Sequence, residues 1–340
     1  MDRKRRAYIF TVVLLGVTLY TVWPESEEQP VLTEFTGLTM GSISYSIKVV
    51  GLEVDYSESI DSMLVAFNNV MSTYIPDSEI SRFNKTSTLE NPNPLFLNVL
   101  EASEMVYEET RGAFDPTIGP LINAWGFGSD KKVIEPDSAI VDSLLLTVGF
   151  EKVSFSSARL SKDDNVSLNL GAIAKGQAVD VVGEWLERQG SLNYMVEIGG
   201  EVRCRGKNLS GNPWRIAIQN PLISDSRTQI AIASLNDKSI ATSGNYRNYY
   251  EKDGEIRAHI IDPMSGYTAD HNLLSASVFH KDCMIADAYA TAFMVMGLEA
   301  SIELIESNPD LDGLLIYAVG EEIDAYVSSS FQDNTEILLE

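Results

Sequence analysis

The sequence predicts an α+β fold in which mixed and antiparallel sheets pack with helices. Three observations favour it. A clear amphipathic helix comes early in the chain, short strand-like runs follow one another from about residue 194 to 250, and two more helices precede the last strands. Helices and strand clusters do not alternate regularly, as they would in a doubly wound sheet. The 340 residues, 44% of them hydrophobic, suffice for one large domain or two closely packed ones.

The N-terminus has the pattern of a signal-anchor or signal peptide. Positions 3–6 are all Arg or Lys, an apolar run extends from Ala7 to Trp23, and the next charge is Glu25. A basic head before an apolar run predicts a cytoplasmic N-terminus, with the remaining chain outside the cytoplasmic membrane. Because no small-x-small cleavage site lies near Trp23, we expect an uncleaved anchor rather than a cleaved signal peptide. The predicted organisation is an anchor over 1–24, a polar linker over 25–33 and one domain over 34–340.

The first half of the domain mixes strand and helix patterns. Residues 34–50 alternate like a β-strand. Apolar side chains at spacings of three and four predict a helix over 57–74, which Pro76 ends. A second helix is predicted over about 95–111, and charged loop with short strands over 130–170.

The second half continues with one helix, the strand cluster and two more helices. An apolar stripe predicts the helix over 175–188, which Gly190 closes. The strand cluster occupies about 194–250. Helices are predicted over 285–297 and 299–307. The closing strands are predicted in "GLLIYAVG" and "DAYVSSSF".

The net charge argues against nucleic-acid binding, and the cysteine and histidine content argues against a classical zinc site. A formal net charge of -24 argues against nucleic-acid binding, because a polyanion needs a basic surface. Two cysteines and three histidines form no metal-type cluster along the sequence. Cys204 and Cys283 are better interpreted as free buried thiols, although a disulfide between them stays open.

Lys175 is a candidate anion-binding residue. It stands in "LNLGAIAKGQAVD", residues 168–180, where an apolar stretch passes through small residues into a helix. Small residues let a ligand approach the backbone, and a helix N-terminus favours an anion. Lys175 would add a point charge to a phosphate. On this stretch alone, a surface lysine beside a tightly packed strand–helix turn is the slightly favoured interpretation.

Asp287 and Thr291 are candidate ligands for a hard cation. They are four residues apart in "MIADAYATAFMVMG", residues 284–297, and therefore share one face of a helix among small and apolar side chains. A carboxylate, a hydroxyl and a backbone carbonyl form the oxygen set that Mg²⁺ accepts. The alternative is structural: Asp287 caps the helix and Thr291 bonds back to the chain.

Five further positions are candidates because of their chemistry. His259, in "RAHIIDPMSGY", has the side chain of a general base near neutral pH, although a lone strand histidine is often structural. Asp115 and Phe114 lie in a glycine-punctuated loop, either a ligand-binding loop or a packed Ω-type loop. Met40 and Tyr74 would suit the walls around a flat ring, or the core.

Eight ordered pieces between Thr36 and Gly297 together resemble the ApbE family, the FAD:protein FMN transferases. Any one of them is a weak signal, but their number and order make chance agreement improbable. The matching pieces are "TGLTMGS", "MSTYIPDSEISRFN", "GAFDPTIGPLINAWGFG", "LNLGAIAKGQAVD", "VEIGGEVRCRG", "IATSGNYRNYY", "HIIDPMSGY" and "IADAYATAFMVMG".

The resemblance implies an ApbE-like fold and a specific reaction. Such enzymes use Mg²⁺ to cleave FAD, transfer FMN to a threonine or serine hydroxyl of a partner protein, and release AMP. Their partners are subunits of membrane redox complexes that face the same compartment. The reaction is phosphoryl-group chemistry, in which catalysis is mainly positioning and charge neutralisation.

The resemblance also implies roles for individual residues. The metal would be held by Asp287, Thr291 and the carbonyl of Ala172, while Ala290 stands where some members have a second aspartate. His259 would act as general base near the acceptor hydroxyl. The positions that match FAD-contacting residues are Met40, Tyr74, Ala113, Phe114, Asp115, Asn169, Lys175 and Ile260.

Three alternatives remain open from the sequence. Water could replace the acceptor hydroxyl, which would make the chain an FAD pyrophosphatase that gives FMN and AMP. The chain could instead bind flavin without turnover, or keep the fold as an anchored scaffold without the ligand.

Overall fold

The computed structural model describes residue 3 and residues 30–128, 136–222, 228–244, 249–252, 255–258, 260–320 and 322–338. The helices of this part of the chain are α1 (Ser57–Met71), α2 (Glu79–Lys85), α3 (Pro94–Glu109), α4 (Gly119–Ala124), α5 (Ser138–Leu145), α6 (Ala174–Arg188), α7 (Cys283–Met296) and α8 (Leu298–Ser307). The strands are β1 (Leu32–Thr39), β2 (Ile43–Val50), β3 (Thr88–Glu90), β4 (Val153–Phe155), β5 (Arg159–Lys162), β6 (Tyr194–Ile198), β7 (Glu201–Arg205), β8 (Trp214–Gln219), β9 (Gln229–Leu235), β10 (Ser239–Gly244), β11 (Tyr249–Lys252), β12 (Glu255–Ala258), β13 (Leu273–His280), β14 (Asp312–Val319), β15 (Glu322–Val327) and β16 (Thr335–Ile337).

An eight-stranded sheet organises the fold. Its strand order is β1-β2-β6-β7-β10-β13-β14-β15, and every neighbouring pair is antiparallel. Two three-stranded sheets, β16-β9-β8 and β3-β5-β4, and the hairpin β11-β12 complete the strand pairing of the described residues. The α+β class predicted from the sequence is therefore confirmed.

The central sheet is covered on both faces, and strand periodicity separates the two cores. On β10, Ala241 packs into the core under the helices, whereas its neighbour Ile240 packs toward the small β16-β9-β8 sheet. On β14, Leu315 and Leu314 divide in the same way. Successive side chains point to opposite faces of a strand, so one strand supplies both cores.

Helices α1, α3, α6, α7 and α8 confirm the predicted helical segments. Their observed bounds differ from the predicted ones by up to three residues, and the largest difference is at the end of α1. The predicted helix over 57–74 stops at Met71, because Ser72 adopts extended backbone. The closing strands are confirmed as β14 and β15.

The strand predicted over 34–50 is a hairpin. The chain reverses after Thr39, where Met40 and Gly41 both adopt positive φ angles of 47° and 88°. Two such residues in succession suit the tight reversal between twisted strands. The first strand begins at Leu32, which lies within the predicted linker.

The region predicted as loop and short strands over 130–170 contains a helix as well. Asp137 caps α5 by accepting a hydrogen bond from Ile140 N at 2.9 Å. Val141 is buried, and Leu144 and Leu145, three and four residues later, pack against the same apolar cluster, so the helix has a short apolar face that the sequence prediction missed.

Within the described residues, no helix combines the length and the apolar character needed to cross a membrane. The predicted anchor over 1–24 lies outside the described residues except for Arg3.

Candidate active site

A cavity of about 510 Å³ opens beside the central sheet, and most of the residues singled out from the sequence line it. Its walls come from the β1–β2 turn, the segment after α1, the loop before α4, the start of α6, the end of β10 and the half-buried Thr291 and Val295 of α7. The predicted site residues that line it are Met40, Tyr74, Ala113, Phe114, Asp115, Asn169, Ala172, Lys175, Ile260 and Thr291.

Lys175 connects this cavity to two buried carboxylates. Its Nζ lies 3.3 Å from Asp287 Oδ1, 3.4 Å from Asp287 Oδ2 and 3.5 Å from Glu201 Oε1. Burial alone would lower the pKa of Lys175, but the carboxylates of Asp287 and Glu201 raise it above the ordinary value. Lys175 is therefore a fixed positive charge between two buried carboxyl groups.

Asp287 also binds the start of α6. Its Oδ2 accepts a hydrogen bond from Gly176 N at 3.0 Å. In a helix that donor would bond to the carbonyl of Ala172, four residues earlier. Among the described residues, the Ala172 carbonyl accepts no backbone hydrogen bond, and it belongs to a residue that lines the cavity. The fold thus leaves a backbone oxygen available beside a buried carboxylate.

Thr291 lies one turn after Asp287 on α7, on the cavity side. Its Oγ1 is 3.2 Å from Ser243 Oγ, at the end of β10. The donor set of Asp287, Thr291 and the Ala172 carbonyl consists only of oxygen atoms, which fits a hard divalent cation such as Mg²⁺. No group of three or more His, Cys, Asp or Glu side chains with metal-site geometry occurs in the described ranges, and Asp287 is the one carboxylate among these three candidate ligands.

The loop before α4 is held rigidly by its own hydrogen bonds. Asp115 Oδ1 accepts from Thr117 N at 2.7 Å and from Thr117 Oγ1 at 2.6 Å, and Gly149 N donates to that hydroxyl at 2.7 Å. Asn169 N donates to Pro116 O at 2.7 Å, which ties the loop to the segment before α6. Asp115 is therefore a buried carboxylate fixed at the cavity wall.

Burial raises the pKa of Asp115 to about 6, so the ionised carboxylate costs free energy in the fold. We predict that Asp115→Asn raises the free energy of unfolding by about 2 kcal/mol at pH 8. Asn keeps an oxygen that can accept both bonds from Thr117. As pH falls through 6 the wild-type carboxyl takes up its proton, and the advantage of the variant should disappear near pH 4. Chemical denaturation of both proteins between pH 4.5 and 8 measures this, and a difference independent of pH would contradict it.

The remaining walls are apolar and surround the polar end of the cavity. Met40 lies in the β1–β2 turn beside the cavity and has a positive φ angle there. Ile260 is buried in the cavity wall. Tyr74 is 68% exposed and stands at the mouth. Such walls suit a flat aromatic ring system.

The structure also adds residues that sequence reasoning did not assign to the site. Glu201 beside Lys175 and Ser243 beside Thr291 both lie in stretches that carried the family resemblance. The family resemblance therefore covered both positions, but it gave neither Glu201 nor Ser243 a role in the site. Asp287 does not line the cavity and reaches it through Lys175. His259, the predicted general base, lies outside the described residues.

Comparisons with known proteins find relatives over most of the chain. Residues 40–315 match the profile of the ApbE family. The chain is 40% identical over 306 residues to the FAD:protein FMN transferase of Vibrio cholerae serotype O1, which covers 87% of this chain and 91% of that protein. It is 36% identical over 341 residues to the Haemophilus influenzae FAD:protein FMN transferase, covering 95% and 97%.

Solved structures show the same similarity in three dimensions. The flavin transferase ApbE from Vibrio cholerae superposes with a TM-score of 0.81 at 38% identity, covering 90% of this chain and 99% of that one. The apo form of the Pseudomonas stutzeri flavinyl transferase ApbE gives a TM-score of 0.81 at 31% identity, covering 91% and 98%.

Proposed function

The chain belongs to the ApbE family and is an enzyme of the FAD:protein FMN transferase class, and we propose that it transfers FMN from FAD to a threonine or serine hydroxyl of a partner protein and releases AMP. The observation that carries this proposal is the cavity. It gathers the side chains expected around FAD and places the fixed charge of Lys175 at their polar end.

In the proposed reaction the acceptor hydroxyl oxygen attacks the phosphorus on the FMN side of the FAD pyrophosphate. The bond between that phosphorus and the bridging oxygen breaks, and AMP leaves with the bridging oxygen. The hydroxyl proton passes to His259 as general base. The residue that follows it in the chain, Ile260, lines the cavity, which supports this assignment.

The chain's own residues supply positioning and charge. Lys175 faces the pyrophosphate, and Asp287 and Glu201 hold its ammonium group in place. Met40 and Tyr74 provide walls for the flat rings of FAD. Because these contacts do not depend on the acceptor, they also position FAD before the partner protein arrives.

We propose that Asp287, Thr291 and the Ala172 carbonyl hold Mg²⁺. When bound, the cation neutralises negative charge on the pyrophosphate. Ala290, on the same helix, offers no second carboxylate, so the chain contributes few ligands and leaves positions for phosphate oxygens.

The location of the acceptor follows from the N-terminal sequence. The basic head and apolar run support an anchor in the cytoplasmic membrane with the catalytic domain on the extracytoplasmic side. The acceptor would then be a subunit of a membrane redox complex that exposes its threonine or serine to that side.

The test is a reaction of the full-length chain with FAD and Mg²⁺, with and without a candidate acceptor domain. We expect AMP by chromatography and an acceptor mass gain of one FMN unit. The matched variant His259→Asn should bind FAD but transfer FMN at least about 100-fold more slowly, because it lacks the general base.

Other results would favour the alternatives. AMP without a modified acceptor, across several acceptor domains, would indicate an FAD pyrophosphatase. Tight FAD binding without AMP would indicate a flavin-binding protein. Neither binding nor turnover would indicate a scaffold.

A further inference from the structure

Asp180 ends the stretch 168–180 and has received no role so far. It lies on α6, is 7% exposed, and accepts three hydrogen bonds. Cys283 N donates at 3.0 Å, Met284 N at 2.8 Å and Arg203 Nη1 at 2.7 Å. All three donors come from other elements of the fold, two from α7 and one from β7. Asp180 therefore joins three elements at one buried carboxylate.

The two backbone donors are the first two residues of α7. The first N–H groups of a helix have no partner within it, and a negative charge there interacts favourably with the helix dipole. The residue that precedes α7, Asp282, makes no side-chain cap hydrogen bond. Asp180 thus caps α7 from a neighbouring helix.

This cap lies about one turn from the candidate site on both helices. Lys175 precedes Asp180 by five residues on α6, and Asp287 follows Cys283 by four residues on α7. Between them the two backbones touch: a Cβ on Gly176 would lie 2.3 Å from the Cys283 carbonyl oxygen. The position of Asp287 relative to α6 therefore depends on how the start of α7 is held.

Arg203 ties this cap to the central sheet. Its guanidinium bonds Asp180 through Nη1, Glu187 Oε1 through Nη2 at 3.1 Å and Tyr194 Oη through Nε at 3.1 Å. Asp180 and Glu187 are two carboxylates of the same helix that share the same arginine. Of the two, only Asp180 has a hydrogen bond to α7 among the described residues, which makes Glu187 a matched control.

We propose that Asp180 is a positioning residue, which fixes the start of α7 against α6 and thereby sets Asp287 for divalent-cation binding. The proposal rests on the proposed function, because it takes Asp287 as a cation ligand. It concerns a residue that touches neither FAD nor the cation and acts through the backbone of α7.

The experiment measures Mn²⁺ affinity of the full-length chain by the electron paramagnetic resonance signal of free Mn²⁺. Asp180→Asn keeps the size of the side chain but loses one acceptor and the charge. Asp180→Glu keeps the charge and moves the carboxylate by one methylene. Glu187→Gln weakens the same arginine cluster and leaves the cap on α7 intact. Hydrogen exchange of the peptide over 281–290 reports the cap directly in each folded variant.

We expect both Asp180 variants to raise the Mn²⁺ dissociation constant about tenfold or more and to speed exchange at the start of α7. Glu187→Gln should leave both quantities within about twofold of the wild type, even if it lowers the melting temperature. If Asp180→Asn does not fold, Asp180→Glu decides. Wild-type affinity in a folded Asp180 variant would overturn the positioning role alone. A wild-type protein without Mn²⁺ binding would overturn the proposed metal site, and the positioning role with it.

Discussion

Asp287→Asn is expected to lower AMP release from FAD on the order of 10³-fold and to abolish its dependence on Mg²⁺. The side chain keeps its shape and one oxygen that can accept from Gly176 N, so the packing of α7 on α6 is preserved. It loses the only carboxylate among the three proposed metal ligands. It also removes one of the two negative charges that hold Lys175. Initial rates against Mg²⁺ concentration, together with Mn²⁺ binding by the folded variant, measure both losses.

The matched control is Asp282→Asn. Asp282 precedes α7, and its side chain is 37% exposed with a distant ion pair to Lys281 at 3.9 Å. Removing this charge leaves the cavity and Lys175 untouched, so turnover should stay within about twofold of the wild type. If Asp287→Asn behaved like Asp282→Asn, Asp287 would not be a metal ligand and the proposed Mg²⁺ site would be wrong.

Local sequence patterns account for part of the geometry of the candidate site. Asp287 and Thr291 share a face of α7, because residues four apart on a helix lie on the same side. Lys175 lies at the start of α6, as expected. Its contact with Asp287 joins residues 112 positions apart, and no local periodicity encodes such a contact. Only the family resemblance placed the two residues in one site.

The errors in the fold have local physical causes. The strand predicted over 34–50 has the right alternation throughout, but a turn at Met40 and Gly41 divides it into a hairpin. Alternation of side chains continues on both sides of such a turn, so it does not reveal the reversal. Helix α5 was missed because it has only eight residues, and the helical spacing of Val141, Leu144 and Leu145 is too short to stand out from the charged loop predicted around it.

Asp180 illustrates a different limit of sequence reasoning. In the sequence it is one more acidic residue on α6, and a chain with a net charge of -24 has many of them. Its partners, the amides of Cys283 and Met284, lie more than 100 residues away and are backbone groups, which have no signature in the sequence. Only the packing of α7 on α6 distinguishes it from a solvated carboxylate.

Gly176→Ala is expected to lower the free energy of unfolding by about 2–3 kcal/mol and to reduce FAD turnover at the same time. The added Cβ would lie 2.3 Å from the Cys283 carbonyl oxygen and 2.7 Å from Met284 Cα. Both are backbone atoms at the start of α7, so the two helices must separate. Alanine has the higher helix propensity, worth about 1 kcal/mol, but this gain is smaller than the cost of the clash. Separation also lengthens the bond from Gly176 N to Asp287 and moves Lys175 away from that carboxylate.

Gly183→Ala provides the matched comparison on the same helix. A Cβ there would meet Arg203 Cδ and Tyr194 Oη, each at 2.9 Å, which are side-chain atoms of the buried cluster around Arg203 and not backbone atoms of α7. The gain in helix propensity offsets part of the cost of moving these side chains, so we expect Gly183→Ala to lower the free energy of unfolding less than Gly176→Ala does. Denaturant titration and AMP release should be measured on both variants. Because the α6–α7 contact holds the site together, Gly176→Ala should lose stability and turnover in parallel. Equal stability of the two variants would mean that the backbones can separate at Gly176 at little cost.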